Sequence, residues 1–252
     1  MLLQLEGLTK RFPGGVTALD GVSVDLVAGE HLGLVGESGC GKTTLARIVM
    51  GLVIPDQGRV LFEGRELVSA KERRGLFCRK ARMVFQDPFS SLDPRFTVRA
   101  ILREALALEP RMRLGEELGR MREVLGLVRL PPDILARYPH EFSGGERQRI
   151  AIARALMSQP SLLVLDEVLS SLDVLVQQDI LTVLEEIPRR TGVTYLFIAH
   201  NLRTVRRLSR RVAVMRRGVI VEYGGCEDLF SSAVHPYTQA LFKAAINYEV
   251  SA

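Results

Sequence analysis

The stretch Gly36-Glu37-Ser38-Gly39-Cys40-Gly41-Lys42-Thr43 constrains this 252-residue chain more than any other part of it. Ahead of it, Leu32-Gly33-Leu34-Val35 is apolar without alternation, as a strand covered on both faces is. Behind it, Leu45, Ile48, Val49 and Leu52 recur at helical spacing, and Gly51 and Pro55 mark the end of that element. A Gly-x4-Gly-Lys-[Ser/Thr] turn between strand and helix lets the backbone wrap closely around a polyphosphate. Its N–H groups and the helix N-terminus meet the phosphate oxygens, and the Lys42 ammonium neutralises them. The Thr43 hydroxyl, followed by Thr44, can ligate Mg2+.

Composition narrows the remaining classes. Hydrophobic residues at 47% and charged residues at 25% exclude a disordered or low-complexity chain. Cys40, Cys78 and Cys226 lie far apart with no Cys-x-x-Cys pair, which argues against a disulfide framework or zinc site and for a reducing cytoplasm. No uncharged apolar run reaches the ~18 residues of a membrane span, and the start lacks the basic and apolar regions of a secretory signal. The net charge of +5 comes from 34 basic residues in scattered pairs such as Arg73-Arg74, Arg189-Arg190, Arg206-Arg207, Arg210-Arg211 and Arg216-Arg217. Such pairs read as solvated faces first, and as a surface for nucleic acid or a membrane-side partner second.

Val22, Val24 and Leu26 alternate with polar residues, as on a half-buried strand. Further strands are expected at Met83-Val84-Phe85, Leu162 to Leu165, Tyr195 to Ile198 and Arg211 to Met215, the last joined by a hairpin to Val219-Ile220-Val221. Between Asp87 and Pro160 no strand is legible. Val98 to about Leu127 reads as helical, with Ile101, Leu102, Ala105 and Leu106 as its apolar stripe, so a helical insertion interrupts an αβ chain. A closing helix is expected from Asp228 to Ala244.

Two more stretches carry chemistry. Leu162-Leu163-Val164-Leu165-Asp166-Glu167 ends a buried strand in two acids, beside a phosphate loop the signature of a Mg2+-nucleotide site: Asp166 on the metal side, Glu167 as general base. In Phe142-Ser143-Gly144-Gly145-Glu146-Arg147-Gln148, Ser143 can cap a helix whose first turn holds Glu146, and the double glycine exposes further donors. One nucleotide does not need two such cradles.

With these motifs in this order, the chain resembles the ATP-binding-cassette (ABC) transporter ATPases over nearly its whole length. That resemblance implies an α/β fold: a P-loop NTPase core with an N-terminal antiparallel β subdomain and an inserted α-helical subdomain. It implies one domain over 1–252, with 1–86 and 161–252 as nucleotide-binding core and 87–160 as the helical, signature-bearing part. By the same resemblance Phe12 stacks on adenine, and Gln86 senses Mg2+ and the transmembrane partner. Ser171-Leu172-Asp173 crosses a dimer interface, and His200 is the switch at the γ-phosphate. Ser143, Gly144 and Gly145 close over ATP held by a second subunit.

Val84 to Arg95 and His235-Pro236-Tyr237-Thr238-Gln239-Ala240-Leu241 resemble the peptide and nickel importer ATPases. Implied partners are a second ATPase subunit, two permeases and an extracytoplasmic binding protein, with the chain peripheral on the cytoplasmic face of the inner membrane and no nucleic acid bound. Val168-Leu169 replaces the usual Pro-Thr and leans toward a metal or metal-chelate cargo; Glu146 replaces the commoner glutamine and is expected to leave the backbone donors untouched. A soluble cassette ATPase acting on nucleic acid or ribosomes, and a P-loop kinase or GTPase, stand as alternatives.

Overall fold

The computed structural model describes residues 1–68, 77–87, 91–107, 112–170 and 172–247, with side chains to 243. Pro88-Phe89-Ser90 and Ser171, named above, lie outside the described residues. The strands are β1 (Leu3–Phe12), β2 (Val16–Leu26), β3 (Leu32–Val35), β4 (Gln57–Phe62), β5 (Arg65–Glu66), β6 (Ala81–Val84), β7 (Leu162–Asp166), β8 (Thr194–Ile198), β9 (Arg211–Arg216) and β10 (Val219–Gly225). The main helices are α1 (Lys42–Val49), α2 (Val98–Glu104), α3 (Leu114–Leu127), α4 (Gly144–Leu156), α5 (Val174–Thr191), α6 (Leu202–Leu208), α7 (Cys226–Ser232) and α8 (Pro236–Asn247). Backbone contacts divide the chain into two units, residues 1–78 with 194–252, and residues 79–193.

The first unit holds an antiparallel sheet in the order β2-β1-β4-β5. Leu3 and Leu5 are buried on β1, then Leu8; Leu19 is buried on β2, then Val22, Val24 and Leu26. The buried face changes parity because each strand carries an irregularity, at Gly7 (φ 59°) and Gly21 (φ 67°), so one extra residue is absorbed and the apolar side chains stay inward. In the same unit β3 lies between β8 and β9, parallel to both, and all four of its residues are buried. The unalternating apolar run of the sequence is thereby accounted for. His31, just before β3, accepts the Tyr195 N–H at Nδ1 (3.1 Å), and the two rings stack with centroids 4.8 Å apart. Gly33 is needed here: a Cβ would stand 2.5 Å from Val205 Cγ1 on α6.

Three expectations for this unit change. Leu52 is 61% exposed, because α1 ends at Val49 and Gly51 (φ 69°) takes the chain off the helical path. The tail is two helices, since Pro236 has no N–H to continue a helix and disfavours helical backbone just before it. Glu222 fills the gap, its carboxylate accepting the Val234 (2.7 Å) and His235 (3.1 Å) N–H groups. The β9–β10 hairpin is present but longer than read, β10 reaching Gly225, with Arg217 (φ 47°) and Gly218 (φ 83°) forming the tight turn.

The second unit pairs β6 with β7 in parallel, Ala81 opposite Leu162 through Val84 opposite Leu165. The strand near Met83 starts earlier than its expected limits and stops at Val84; Phe85 is exposed. Val98, Ile101, Leu102, Met121, Val124, Leu125, Ile150 and Ile152 form the buried interior of its helices. The helix expected over Val98–Leu127 is two helices, with α2 stopping at Glu104, ahead of Pro110 in the sequence. Between Asp87 and Pro160 the described residues contain no strand. Arg120 of α3 donates to the Leu156 (2.7 Å) and Met157 (3.3 Å) carbonyls, which caps the C-terminus of α4.

Candidate functional site

The phosphate loop is built by close backbone approach. Gly41 (φ 115°) is the N-cap of α1, and a Cβ on it would stand 2.3 Å from the Ala18 carbonyl oxygen; one on Gly36 would stand 2.1 Å from the Met215 carbonyl oxygen. Only glycine fits either place. Lys42 is 5% exposed, and its ammonium donates to the Gly36 and Glu37 carbonyls, each at 2.8 Å, with Cys40 Sγ at 3.8 Å. A buried cation held by carbonyls of its own loop is positioned to exchange them for phosphate oxygens. Burial pushes the Cys40 thiol up despite the neighbouring ammonium, so it stays neutral. Thr43 and Thr44 follow half-buried in the first turn of α1, and Glu37, Ser38 and Gly39 are exposed.

Outside residues brace the loop from behind. Gly218, at the hairpin tip, donates its N–H to the Cys40 carbonyl (2.9 Å). The Tyr237 hydroxyl of α8 accepts the Glu37 N–H (3.0 Å). Nothing local in the sequence marks either contact; the His-Pro-Tyr-Thr motif signalled only that Tyr237 is special to a subfamily.

Phe12 and His200 belong to the same unit. Phe12 ends β1 and is 38% exposed, with the Lys10 ammonium 5.7 Å from its ring centre. His200 is exposed, one residue past buried Ala199 and one ahead of Asn201, whose side chain caps α6 by accepting the Arg203 N–H (3.0 Å).

In the second unit Asp166 is the last residue of β7 and 5% exposed, and Glu167 is half-buried with φ 50°. A non-glycine residue in the left-handed region is held there by its surroundings. Ser170 ties this turn, its N–H (3.0 Å) and hydroxyl (2.9 Å) both donating to the Glu167 carbonyl. Gln86 donates its side-chain amide to Ser170 Oγ (3.3 Å), so Gln86 and the Glu167 turn are joined. Ser170 went unread in the sequence because a serine three residues past an acid is unremarkable without the fold. Val168 and Leu169 are buried.

Ser143 is the N-cap of α4, its hydroxyl accepting the Glu146 N–H (3.3 Å). The Glu146 carboxylate accepts both the Ser143 N–H (2.9 Å) and the Ser143 hydroxyl (2.7 Å), the reciprocal cap that glutamine would also make. Those bonds hold the Glu146 carboxyl below the usual carboxylate range, so the corner carries a negative charge at neutral pH. A Cβ on Gly145 would lie 2.4 Å from Val176 Cγ1, and one on Gly144 an ordinary 3.5 Å from Leu172 Cδ2. The serine-glycine corner is thus packed on the start of α5, where exposed Asp173 caps the helix by accepting the Val176 N–H (3.0 Å).

Several arginine pairs are spent on internal ties. Arg206 makes a two-pronged pair with Glu227 and lies 5.0 Å over Phe230, and Arg211 bonds Asp25 at 3.0 Å and lies over Tyr223. Arg73 and Arg74 lie outside the described residues.

Comparison with known proteins agrees with this geometry. The family model for the ABC transporter matches residues 19–170. The oligopeptide transport ATP-binding protein AppF of Bacillus subtilis (strain 168) is 45% identical over 241 residues, covering 95% of this chain and 73% of the relative. OppF of the same organism, also named an oligopeptide transport ATP-binding protein, is 43% identical, covering 96% and 82%. Among solved structures, cbiO1 of Clostridium perfringens, part of the ABC transporter complex cbiONQ, superposes with a TM-score of 0.83 at 27% identity, covering 92% of this chain and 91% of that one. A dimeric ATP-binding cassette in a post-hydrolysis state, bound to ADP and Pi, shares the fold at TM-score 0.79 and 24% identity, covering 89% and 99%. The α/β fold is that of the P-loop NTPases, and the chain belongs to the ATPases of the ABC transporter family.

Proposed function

We propose that this chain is the ATP-hydrolysing subunit of an importer of oligopeptides or dipeptides. The observation that supports it most is the pairing, in one chain, of a loop that presents a buried ammonium with a second glycine corner on a capped helix. Relatives named for oligopeptide transport, at 43–45% identity, point to the cargo class. The Val168-Leu169 departure gives no support to nickel, because both side chains are buried in the protein's own interior and meet no cargo.

In this reading the loop from Gly36 to Thr44 holds the triphosphate, Phe12 stacks on adenine, and His200 contacts the γ-phosphate. Ser143, Gly144, Gly145 and Glu146, with Asp173, serve ATP held by a second copy or a similar ATPase, and Glu167 takes the proton of the attacking water. Mg2+ supplies charge neutralisation at the phosphates when bound. By the resemblance Thr43, Asp166 and Gln86 would hold it, and a hydroxyl, a carboxylate and an amide are the oxygen donors that Mg2+ takes. Two permeases and an extracytoplasmic binding protein complete the importer, with this chain peripheral on the cytoplasmic face. Among the described residues no helix is long and apolar enough to cross a membrane.

The test is Glu167→Gln in purified protein. ATP turnover falls by about 10²–10⁴-fold or more while ATP-dependent dimers accumulate. Unimpaired turnover would remove Glu167 from its role.

A further inference from the structure

One peptide group of the phosphate loop is gripped at both ends. The carbonyl of the Gly36–Glu37 peptide accepts the Lys42 ammonium at 2.8 Å, and its N–H donates to the Tyr237 hydroxyl at 3.0 Å. Lys42 is the grip that binding removes, since its ammonium turns to the phosphate. Among the described residues Tyr237 is then the grip that stays on the peptide plane.

Tyr237 is itself fixed. It is 9% exposed, its ring lies 4.7 Å from the Arg216 guanidinium, and its N–H donates to His235 Nδ1 (3.1 Å). The Val234 and His235 N–H groups just before it are tied to Glu222. Burial pushes its phenol up, so the hydroxyl keeps its proton across the neutral range. The subfamily motif His235-Pro236-Tyr237-Thr238 therefore has a mechanical use within this unit.

We propose that Tyr237 is a positioning residue for ATP, keeping the Gly36–Glu37 peptide in its binding orientation when Lys42 leaves it. It touches neither substrate nor reacting atoms; it acts through the loop. This rests on the reading of the loop as the ATP site.

The experiment compares Tyr237→Phe, which keeps the ring and its packing, with Lys42→Ala. Binding is read with a fluorescent ATP analogue carrying its label on the ribose, turnover by phosphate release, and the loop amides by hydrogen–deuterium exchange. Loss of one neutral hydrogen bond predicts a 3- to 10-fold rise in KM and in analogue Kd, about 1 kcal/mol, with kcat within twofold. Exchange across residues 36–39 becomes faster in the nucleotide-bound state. A Tyr237→Phe protein with unchanged KM, or with unchanged exchange, overturns the proposal, as does a loss of kcat at unchanged KM. If Lys42→Ala binds the analogue normally, it is the ATP-site reading that fails. Should Tyr237→Phe fold poorly, Glu222→Gln, which loosens the chain leading into Tyr237, is expected to give the same KM rise in a smaller measure, and no rise there overturns the proposal.

Discussion

The phosphate loop and the serine-glycine corner are both glycine-rich entries to a helix, yet they are built in opposite ways. In the loop, glycines at positive φ bring backbone against backbone, and a buried lysine supplies positive charge. At the corner, Gly145 makes room for a side chain, Val176, and the charge nearest the helix start is the Glu146 carboxylate. At the loop, in the proposed reading, an arriving phosphate takes over an ammonium that neutral carbonyls hold. At the corner, in the same reading, it has to displace a resident acid from the Ser143 donors.

The largest effect that could break this contrast is Gly41→Ala. Its Cβ would enter a backbone carbonyl's space at a φ that alanine rarely adopts, and ATP binding is expected to fall by about 100-fold or more in calorimetry. Wild-type affinity in that variant would mean the loop has slack that the structure denies.

At the corner the two glycines should separate. Gly145→Ala is expected to lower stability by about 1–3 kcal/mol in urea unfolding, with part regained by Val176→Ala, while Gly144→Ala changes it by less than about 0.5 kcal/mol. Equal costs at both would remove Val176 as the reason for glycine.

Glu146→Gln sharpens the comparison more finely. Glutamine still caps Ser143 but carries no charge, so ATP-dependent dimerisation of the hydrolysis-dead protein should strengthen by about 3- to 10-fold at low salt and less at high salt. Because the Glu146 carboxyl is held low, its bonds contribute above the usual carboxylate range and are lost as pH falls through its depressed value. The gap between the two proteins therefore persists across neutral pH and closes only in acid. An unchanged dimer constant in light scattering would show the resident acid to be no obstacle.

The smallest expected effect is at His31. Burial lowers its pKa, so below the ordinary value of 6.5 the unfolded chain binds more protons than the folded one, and stability drops as pH falls through that region. His31→Gln should flatten this part of the melting-temperature profile, and an identical slope would mean that the imidazole is protonated without cost.

Much of the site was legible because it is local. The phosphate loop needs residues within a few positions of one another, as do the acids at the end of β7 and the Ser143 cap with Glu146 at N3. Less of the fold was legible. Bulges break the alternation that would mark β1, and the apolar spacing runs on across the breaks after Glu104 and before Pro236. The Arg216-Arg217-Gly218 turn was read as a hairpin, but not as a strut for the loop.

The sequence by itself determined which side chains and glycines stand along the phosphate loop and the corner, since those patterns depend on near neighbours and on the few backbone angles that glycine and proline permit. Only the tertiary structure decided that Tyr237, 200 residues beyond Glu37 in the chain, takes the loop's N–H, and that Gly218 at the hairpin tip donates to the Cys40 carbonyl. These are hydrogen bonds of about 3 Å whose donors and acceptors exist in any conformation, and it is packing that brings them within range of each other.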